Sequence, residues 1–567
     1  MAGQRGANEQ SHRQLMWDLR QIPLPLATLP SATSLTGWAL LLGAMAWSLW
    51  GDQSGKNSAA ARRGWWLLLA GVLVACRWPL IVLPHELYPD ESQMLAGALT
   101  LRHDPVFWRS VDGGTAGPLD YYALLPATFF PGTTGYAATR LTAVLLLWGT
   151  LVAAGETLAL ITSRRVAQVA VLPAVAFEAF TTSPELVHYS TELLPAGLLA
   201  LAVFAILRQT LRSSRGNLWI AALLLGAVPF AKLQAAPIAA TLGLFLVVHE
   251  TRAGRFRHIG LLAGVALLPT LLVTAMVTLT GQAEHMLIPY FLQNSVYAQT
   301  GRLAPGQVLV QLGEQSVTNG YHALWFGGSV AFSIGAIGFA RQVRGPLRHG
   351  AFAAAGLLVV TTFIILSPGR PYHHYLNFLT LPVTLLGGVA LGLAGQARAD
   401  RARLVLGVFL ACTLLPQLAL RASSRPDPFD YYNSTVSARG PAHRALVARI
   451  KSLSTPGDSL GLWGWRSSLY IESGLYQATR LAHPEALLVA GPWQKFYLRR
   501  YYDDLVAAYP SVIVDATGPG NFRFESRSAG LEIYPLLFAW VSAHYSCVGE
   551  FDGTRLYVRR DRLPATP

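Results

Sequence analysis

Residues 64–105 read GWWLLLAGVLVACRWPLIVLPHELYPDESQMLAGALTLRHDP, and the change of character inside this stretch decides the fold. Residues 64–84 are almost wholly apolar and number about 20, the length a helix needs to cross roughly 30 Å of hydrocarbon. They give way at once to His85 and Glu86, then to Pro89, Asp90 and Glu91. A proline followed by acids marks the first turn of a helix, which places Asp90 and Glu91 at a membrane surface, at the head of a new helix.

The same pattern recurs along the chain. Apolar stretches run over 33–50, 64–84, 138–162, 166–182, 192–209, 217–231, 235–250, 258–281, 319–340, 349–367, 374–396 and 402–421, about twelve spans. Composition points the same way: 52% of the 567 residues are apolar and 13% charged, with a mean hydropathy of +0.37. That balance disfavours a disordered scaffold, a coiled coil and a cytosolic enzyme, which need more charge or a regular repeat. Cys76, Cys412 and Cys547 lie far apart, which disfavours a disulfide framework and a zinc knuckle. The fold class read from the sequence is mainly α, a polytopic membrane bundle of about 11–13 transmembrane helices.

Alternate short connections carry Lys56, Arg62 and Arg63; Arg164 and Arg165; Arg208, Arg212 and Arg215; Arg252, Arg255 and Arg257; Arg341, Arg344 and Arg348; Arg398, Arg401 and Arg403. The opposite connections, 183–191, 232–234 and 368–373, contribute only Lys232 and Arg370. By the positive-inside rule the basic side is cytoplasmic. Most of the net charge of +14 is therefore a topology signal, since residues 422–567 hold 16 Lys plus Arg against 13 Asp plus Glu. A nucleic-acid partner is disfavoured. No signal peptide is evident. The first span leaves the N-terminal tail, residues 1–32 with Arg5, Arg13 and Arg20, on the outer side, against the rule.

The transmembrane part covers 33–421, and its outward segments are 85–137, with interfacial helices, and 282–318. Residues 422–567 form a third outward segment, read as a small α/β extracytoplasmic domain. It begins with an Asp- and Pro-rich linker, 425–433. LVARIKSL and QKFYLRRYYDDLVAAY have helical spacing, whereas DSLGLWGW, SVIVDA and the pair CVGEF/TRLYVRR around Asp552-Gly553 read as strands with one hairpin turn.

Chemistry is expected on the outward side. Asp90 and Glu91 are either helix-start acids complementing the dipole or functional carboxylates. GAVPFAKLQAAP puts Lys232 and Gln234 in a tight outward hairpin, where Lys232 either snorkels to the headgroups or has the charge and depth to bind a lipid phosphate. SPGRPYHHYLNFLTLP adds Arg370, Tyr372, His373, His374 and Tyr375 at another outward turn, an interface belt or a phosphate site in which arginine forks onto the anion and histidine neutralises it. SPELVHYSTELLP carries Glu185, His188, Tyr189 and Glu192, as ordinary loop acids or as site residues. Arg77, inside the second span, is read as paired within the bundle. Adjacent His373 and His374 point apart, and no spacing matches a zinc or two-metal ligand set.

In order, a span ending in Asp90-Glu91, a helix, Asp104-Pro105, the interfacial TAGPLDYYALLPATFFPG and the Arg140-Leu141 start of the next span resemble the first outward loop of GT-C-class glycosyltransferases that use polyprenyl-phosphate sugars. That group includes protein mannosyltransferases and the lipid A aminoarabinose transferase (families 39 and 83). Where the family often has Pro-Pro-Leu, this chain has Gly117-Pro118-Leu119. The C-terminal GDSLGLWGWRSSLYIESGLYQATR is similar to the outward domain of some bacterial relatives, as a structural or acceptor-recognising piece. The resemblance implies Asp90 as catalytic base, with Glu91 its companion by adjacency. It places the family's His-Tyr pair on His374 and Tyr375, and makes His188 and Glu192 site candidates. Lys232, Arg370 and His374 are then the expected donor-phosphate ligands, and His188, Glu192, Gln234 and Tyr375 position sugar or acceptor.

The expected partners are a polyprenyl-phosphate sugar donor, a lipid, glycan or protein acceptor, and membrane lipids. A sugar on a lipid phosphate already has a good leaving group, so one base for the acceptor and cations for the departing phosphate suffice, and the displacement inverts. No cofactor is expected, although one distant branch of the class uses a divalent cation. The expected location is the cytoplasmic membrane, multi-pass. A lipid-linked saccharide flippase or transporter, or a non-catalytic envelope assembly protein, are the alternatives; the first would need ionisable groups within the bundle and inverted repeats.

Overall fold

A computed structural model describes residues 29–567 apart from 51–58, 182, 300–301, 320, 340–344, 398–400, 424–439, 489–490 and 564–567. Most of the N-terminal tail, the linker 425–433 and the cations Lys56, Arg341, Arg344 and Arg398 lie outside the described residues.

Each of the twelve apolar stretches is helical. Eight helices among the described residues are long and apolar enough to cross a membrane, from Ala32–Trp50 to His373–Ala397, and Arg215–Ala231, Trp325–Gly338 and Ala402–Thr413 are shorter apolar helices. Eight of the twelve expected spans are thus of full crossing length among the described residues. Arg164–Phe180 has 17 residues and begins on two arginines. The stretch 402–421 breaks into Ala402–Thr413 and Leu415–Ser423, with Pro416 in the first turn of the second piece, where its missing N–H costs nothing. The chain is a multi-pass membrane protein.

Two helices form the centre. Arg164–Phe180 is buried from Ala167 to Phe180, and Thr380–Ala397 from Thr380 to Leu393. At the other extreme Phe256–Leu279 is almost bare, with Leu267, Leu268, Leu271 and Leu272 exposed; an apolar helix with so little protein cover is stable only in contact with hydrocarbon. The charge inside the second span is neutralised locally, because Arg77 meets Glu178 at 3.0 Å with both side chains buried.

Beyond the bundle, five strands form one sheet in the order β2-β1-β3-β5-β4, where β1 is Ser459–Gly464, β2 Tyr476–Gln477, β3 Val512–Ala516, β4 Tyr545–Phe551 and β5 Thr554–Arg559. β1 runs parallel to β2 and β3, while β5 is antiparallel to β3 and β4. Asp552 and Gly553 turn β4 into β5 with φ of 48° and 72°, the left-handed pair that a two-residue hairpin with the sheet's twist requires. The helices Pro441–Ser452 and Gln494–Ala508 stand where the apolar spacing puts them.

This C-terminal part does not float free of the bundle. Leu95, Ala96, Ala127 and Tyr136 of the first outward loop belong to the same apolar cluster as Leu460, Leu462, Tyr470 and Val514. Asp112, in the same loop, is ion-paired in the interior with Arg500, and its N–H donates to the Arg480 carbonyl at 2.8 Å.

Candidate functional site

The helix Pro89–His103 starts on Pro89 at its first position, as the sequence implies, and so presents Asp90 and Glu91 in its first turn. Successive helical residues point about 100° apart, and the two carboxylates separate. Asp90 lines a cavity of about 380 Å³. Glu91 does not: it turns into the protein, fully buried, against Arg140 at 2.7 Å. The expectation that Glu91 accompanies Asp90 at the site is corrected by this geometry.

Lys232 reaches the same cavity from the connection between Arg215–Ala231 and Ala236–Arg252. The connection is stitched to the first outward loop, since Ala116 and Lys232 form an antiparallel bridge and the Gly117 N–H donates to the Ala231 carbonyl at 2.7 Å. A Cβ at Gly117 would lie 2.1 Å from the Phe230 carbonyl oxygen. Glycine at that position is what lets the two loops close on one another.

Lys232 Nζ donates to the Glu192 carboxylate and, at 2.5 Å, to the Thr191 hydroxyl, and it lies 5.2 Å from the centre of the Tyr375 ring. His374 stands between two acids, 2.9 Å from Glu185 and 3.9 Å from Glu192, and stacks on Tyr372 at 5.2 Å. Arg370, His374 and Tyr375 all border the cavity, Arg370 with its guanidinium over the Tyr297 ring at 5.2 Å. His188 stacks on Tyr88 at 5.6 Å, and its Nδ1 is hydrogen-bonded at 2.7 Å to the Tyr189 carbonyl.

Of the expected site residues, the structure therefore brings Asp90, Lys232, Arg370, His374 and Tyr375 to one cavity. Glu192 and His188 lie behind its wall, fully buried. Gln234 is elsewhere, its amide donating to the Ile364 carbonyl at 3.1 Å. Among the described residues no group of three or more His, Cys, Asp or Glu is arranged to hold a metal ion.

The electrostatics divide the acids. Burial pushes the Asp90 carboxyl above the usual aspartate range, against the pull of His374 and His188. Burial also acts on Glu185, but the hydrogen bond and charge of His374 outweigh it and hold that carboxyl at about 2. Burial lowers the His188 imidazole below the usual histidine range. Asp120, which sequence reasoning did not single out, is fully buried behind the wall; its carboxyl is pushed well up by burial and accepts a hydrogen bond from the Tyr189 hydroxyl at 3.2 Å. The larger omission is the C-terminal side of the cavity, where Trp465, His483, Glu485, Phe522 and Arg523 complete the wall. Only Trp465, within the Gly-Leu-Trp-Gly-Trp motif, carried a signal in the sequence.

No protein-family model matches this sequence, and no curated protein matches it. Among solved structures, the chain is similar to the crystal structure of ArnT from Cupriavidus metallidurans in the apo state; the match spans 89% of this chain and 100% of that one, with 14% identical residues and a TM-score of 0.55. A polytopic helix bundle carrying a C-terminal α/β domain, the GT-C-type fold expected from the order of the first outward loop, is thus the fold that this chain shares with ArnT.

Proposed function

We propose that this protein is a glycosyltransferase that moves a sugar from a polyprenyl-phosphate donor to a lipid, glycan or protein acceptor on the extracytoplasmic face of the cytoplasmic membrane. One observation carries the reading: three chain segments distant in sequence bring one carboxylate of raised proton affinity, Asp90, and the cations Lys232, Arg370 and His374 to a single cavity. The fold shared with ArnT, an aminoarabinose transferase, supports it.

In this reaction an acceptor O–H or N–H attacks the anomeric carbon, forming the new glycosidic bond as the bond from that carbon to the phosphate oxygen breaks. The acceptor proton passes to Asp90, and polyprenyl phosphate leaves with the electron pair. Arg370 and His374 face the developing phosphate charge. Lys232 shares its charge with Glu192, which fixes the ammonium in place beside Tyr375. Glu192 and His188 act from behind the wall, by holding Lys232 and Tyr88. The positive-inside pattern supports an orientation with this cavity and residues 422–567 on the extracytoplasmic face.

The experiment is to offer the purified protein, with envelope extract as acceptor source, a panel of polyprenyl-phosphate hexoses and pentoses, and to follow donor consumption by mass spectrometry. One donor should be consumed by the wild type and spared by Asp90→Asn. Equal consumption by a folded Asp90→Asn protein rules the mechanism out.

A further inference from the structure

Part of the cavity wall comes from beyond the membrane part, and one side chain there connects it to the rest. Arg523 donates to the Glu485 carboxylate and, through Nη2 at 3.3 Å, to the Tyr372 hydroxyl. Tyr372 in turn stacks on His374 at 5.2 Å with an interplanar angle of 17°. The guanidinium lies 5.2 Å from the centre of the Trp465 ring and 5.6 Å from that of Phe522, and the Trp465 ring is backed by His483 at 3.8 Å, nearly parallel. Arg523 has φ of 58°, a left-handed conformation that is strained for a non-glycine residue and persists where the surroundings over-determine it. Here they do, with two hydrogen-bond partners and two rings holding one guanidinium.

Resting on the reading above, we propose that the C-terminal domain is a working wall of the catalytic cavity, and that Arg523 is its positioning residue, tying the domain to the Tyr372–His374 stack within the cavity that Asp90 lines. The chain Glu485, Arg523, Tyr372, His374, Glu185 then runs without a break from the domain to the phosphate-facing histidine. The charged and titratable groups acting on Asp90 are Tyr88 from its own segment, Tyr121 from the interfacial helix, Glu185 and His188 from the second outward loop, His374 from the turn after the Pro346–Leu366 helix, and Arg523 from the C-terminal domain. Arg523 is the one of these that a purely membrane-embedded site would lack.

The test uses the full chain in lipid nanodiscs with the donor panel above. Arg523→Gln should lower kcat/KM about tenfold, the equivalent of one charge-assisted hydrogen bond, and move the acidic limb of the pH profile to higher pH, since a cation favouring ionised Asp90 is gone. Arg523→Lys should restore the limb but not the rate, because an ammonium lacks the planar fork. Tyr372→Phe should lower the rate and leave the limb in place. A wild-type rate for Arg523→Gln, or a lower rate with an unmoved limb, overturns the proposal. If Arg523→Gln does not fold, wild-type rates for both Arg523→Lys and Tyr372→Phe overturn it instead. Activity retained by Asp90→Asn would sink the underlying reading, whatever Arg523 does, so the two failures are separable.

Discussion

Arg140 holds the Glu91 carboxylate with two parallel hydrogen bonds of 2.7 and 2.8 Å, both side chains fully buried. The same guanidinium donates to the carbonyls of Leu80 at 2.8 Å, Leu83 at 2.7 Å and His85. Arg140 thereby bonds carbonyls at and just beyond the end of the Ala59–Ile81 helix and pins the start of the Pro89–His103 helix. Asp90, one residue away, is aimed at the cavity by a joint in which it takes no part.

Breaking that joint should show in stability. Arg140→Ala leaves a carboxylate buried without its counter-charge, a loss of about 3–5 kcal/mol for such pairs, and Arg140→Lys should recover only part of it because the fork is lost. Thermal unfolding in detergent measures this. A melting temperature unchanged in Arg140→Ala would show that the pair is not a structural joint.

Asp90→Asn should behave oppositely. Losing the proposed base should cost about 10²–10⁴ in rate, while the melting temperature holds or rises, because burial penalises the charged carboxylate that asparagine lacks. Turnover and unfolding measured on one preparation distinguish this from a folding defect.

The pH profile follows from the sign of the Asp90 shift. A base at Asp90, as proposed, must be ionised to accept a proton, so activity should be present above its raised pKa and lost as pH falls through it. Glu185, held at about 2, stays ionised across that window and does not contribute the limb. Stability assigned to Glu185 is in place above the unfolded glutamate pKa of about 4.3 and is lost only as pH drops through about 2. An acidic limb of kcat/KM at or below the ordinary aspartate value contradicts the assignment to Asp90.

Lys232 and Glu192 should prove coupled. Either Lys232→Met or Glu192→Gln alone strands a buried partner, whereas the double variant removes both, so the combined loss should fall short of the sum by about 0.5–3 kcal/mol. Unfolding midpoints of the four proteins form the cycle. Strict additivity would mean that each side chain finds another partner when the first is removed.

What could be read along the chain was local. Length and apolarity marked all twelve helical stretches, alternation and the Asp552-Gly553 pair marked β1, β3 and the β4–β5 hairpin, and a proline before two acids marked the helix that begins at Pro89. Lys232 stood out because an ammonium between two apolar helices needs a partner. Nothing local could say that Glu91 turns away to Arg140 at the next span, since the direction of a helical side chain acquires meaning only once its neighbour is in place. The two-residue β2 was invisible for want of any period. The far wall of the cavity was hidden for the same reason, because Arg523 meets Tyr372 only after the C-terminal sheet packs on Leu95, Ala96 and Tyr136. Spans and strands follow from neighbouring residues along the backbone, but the composition of the cavity follows from contacts between segments hundreds of residues apart, which the hydrophobic burial of the folded whole alone brings together.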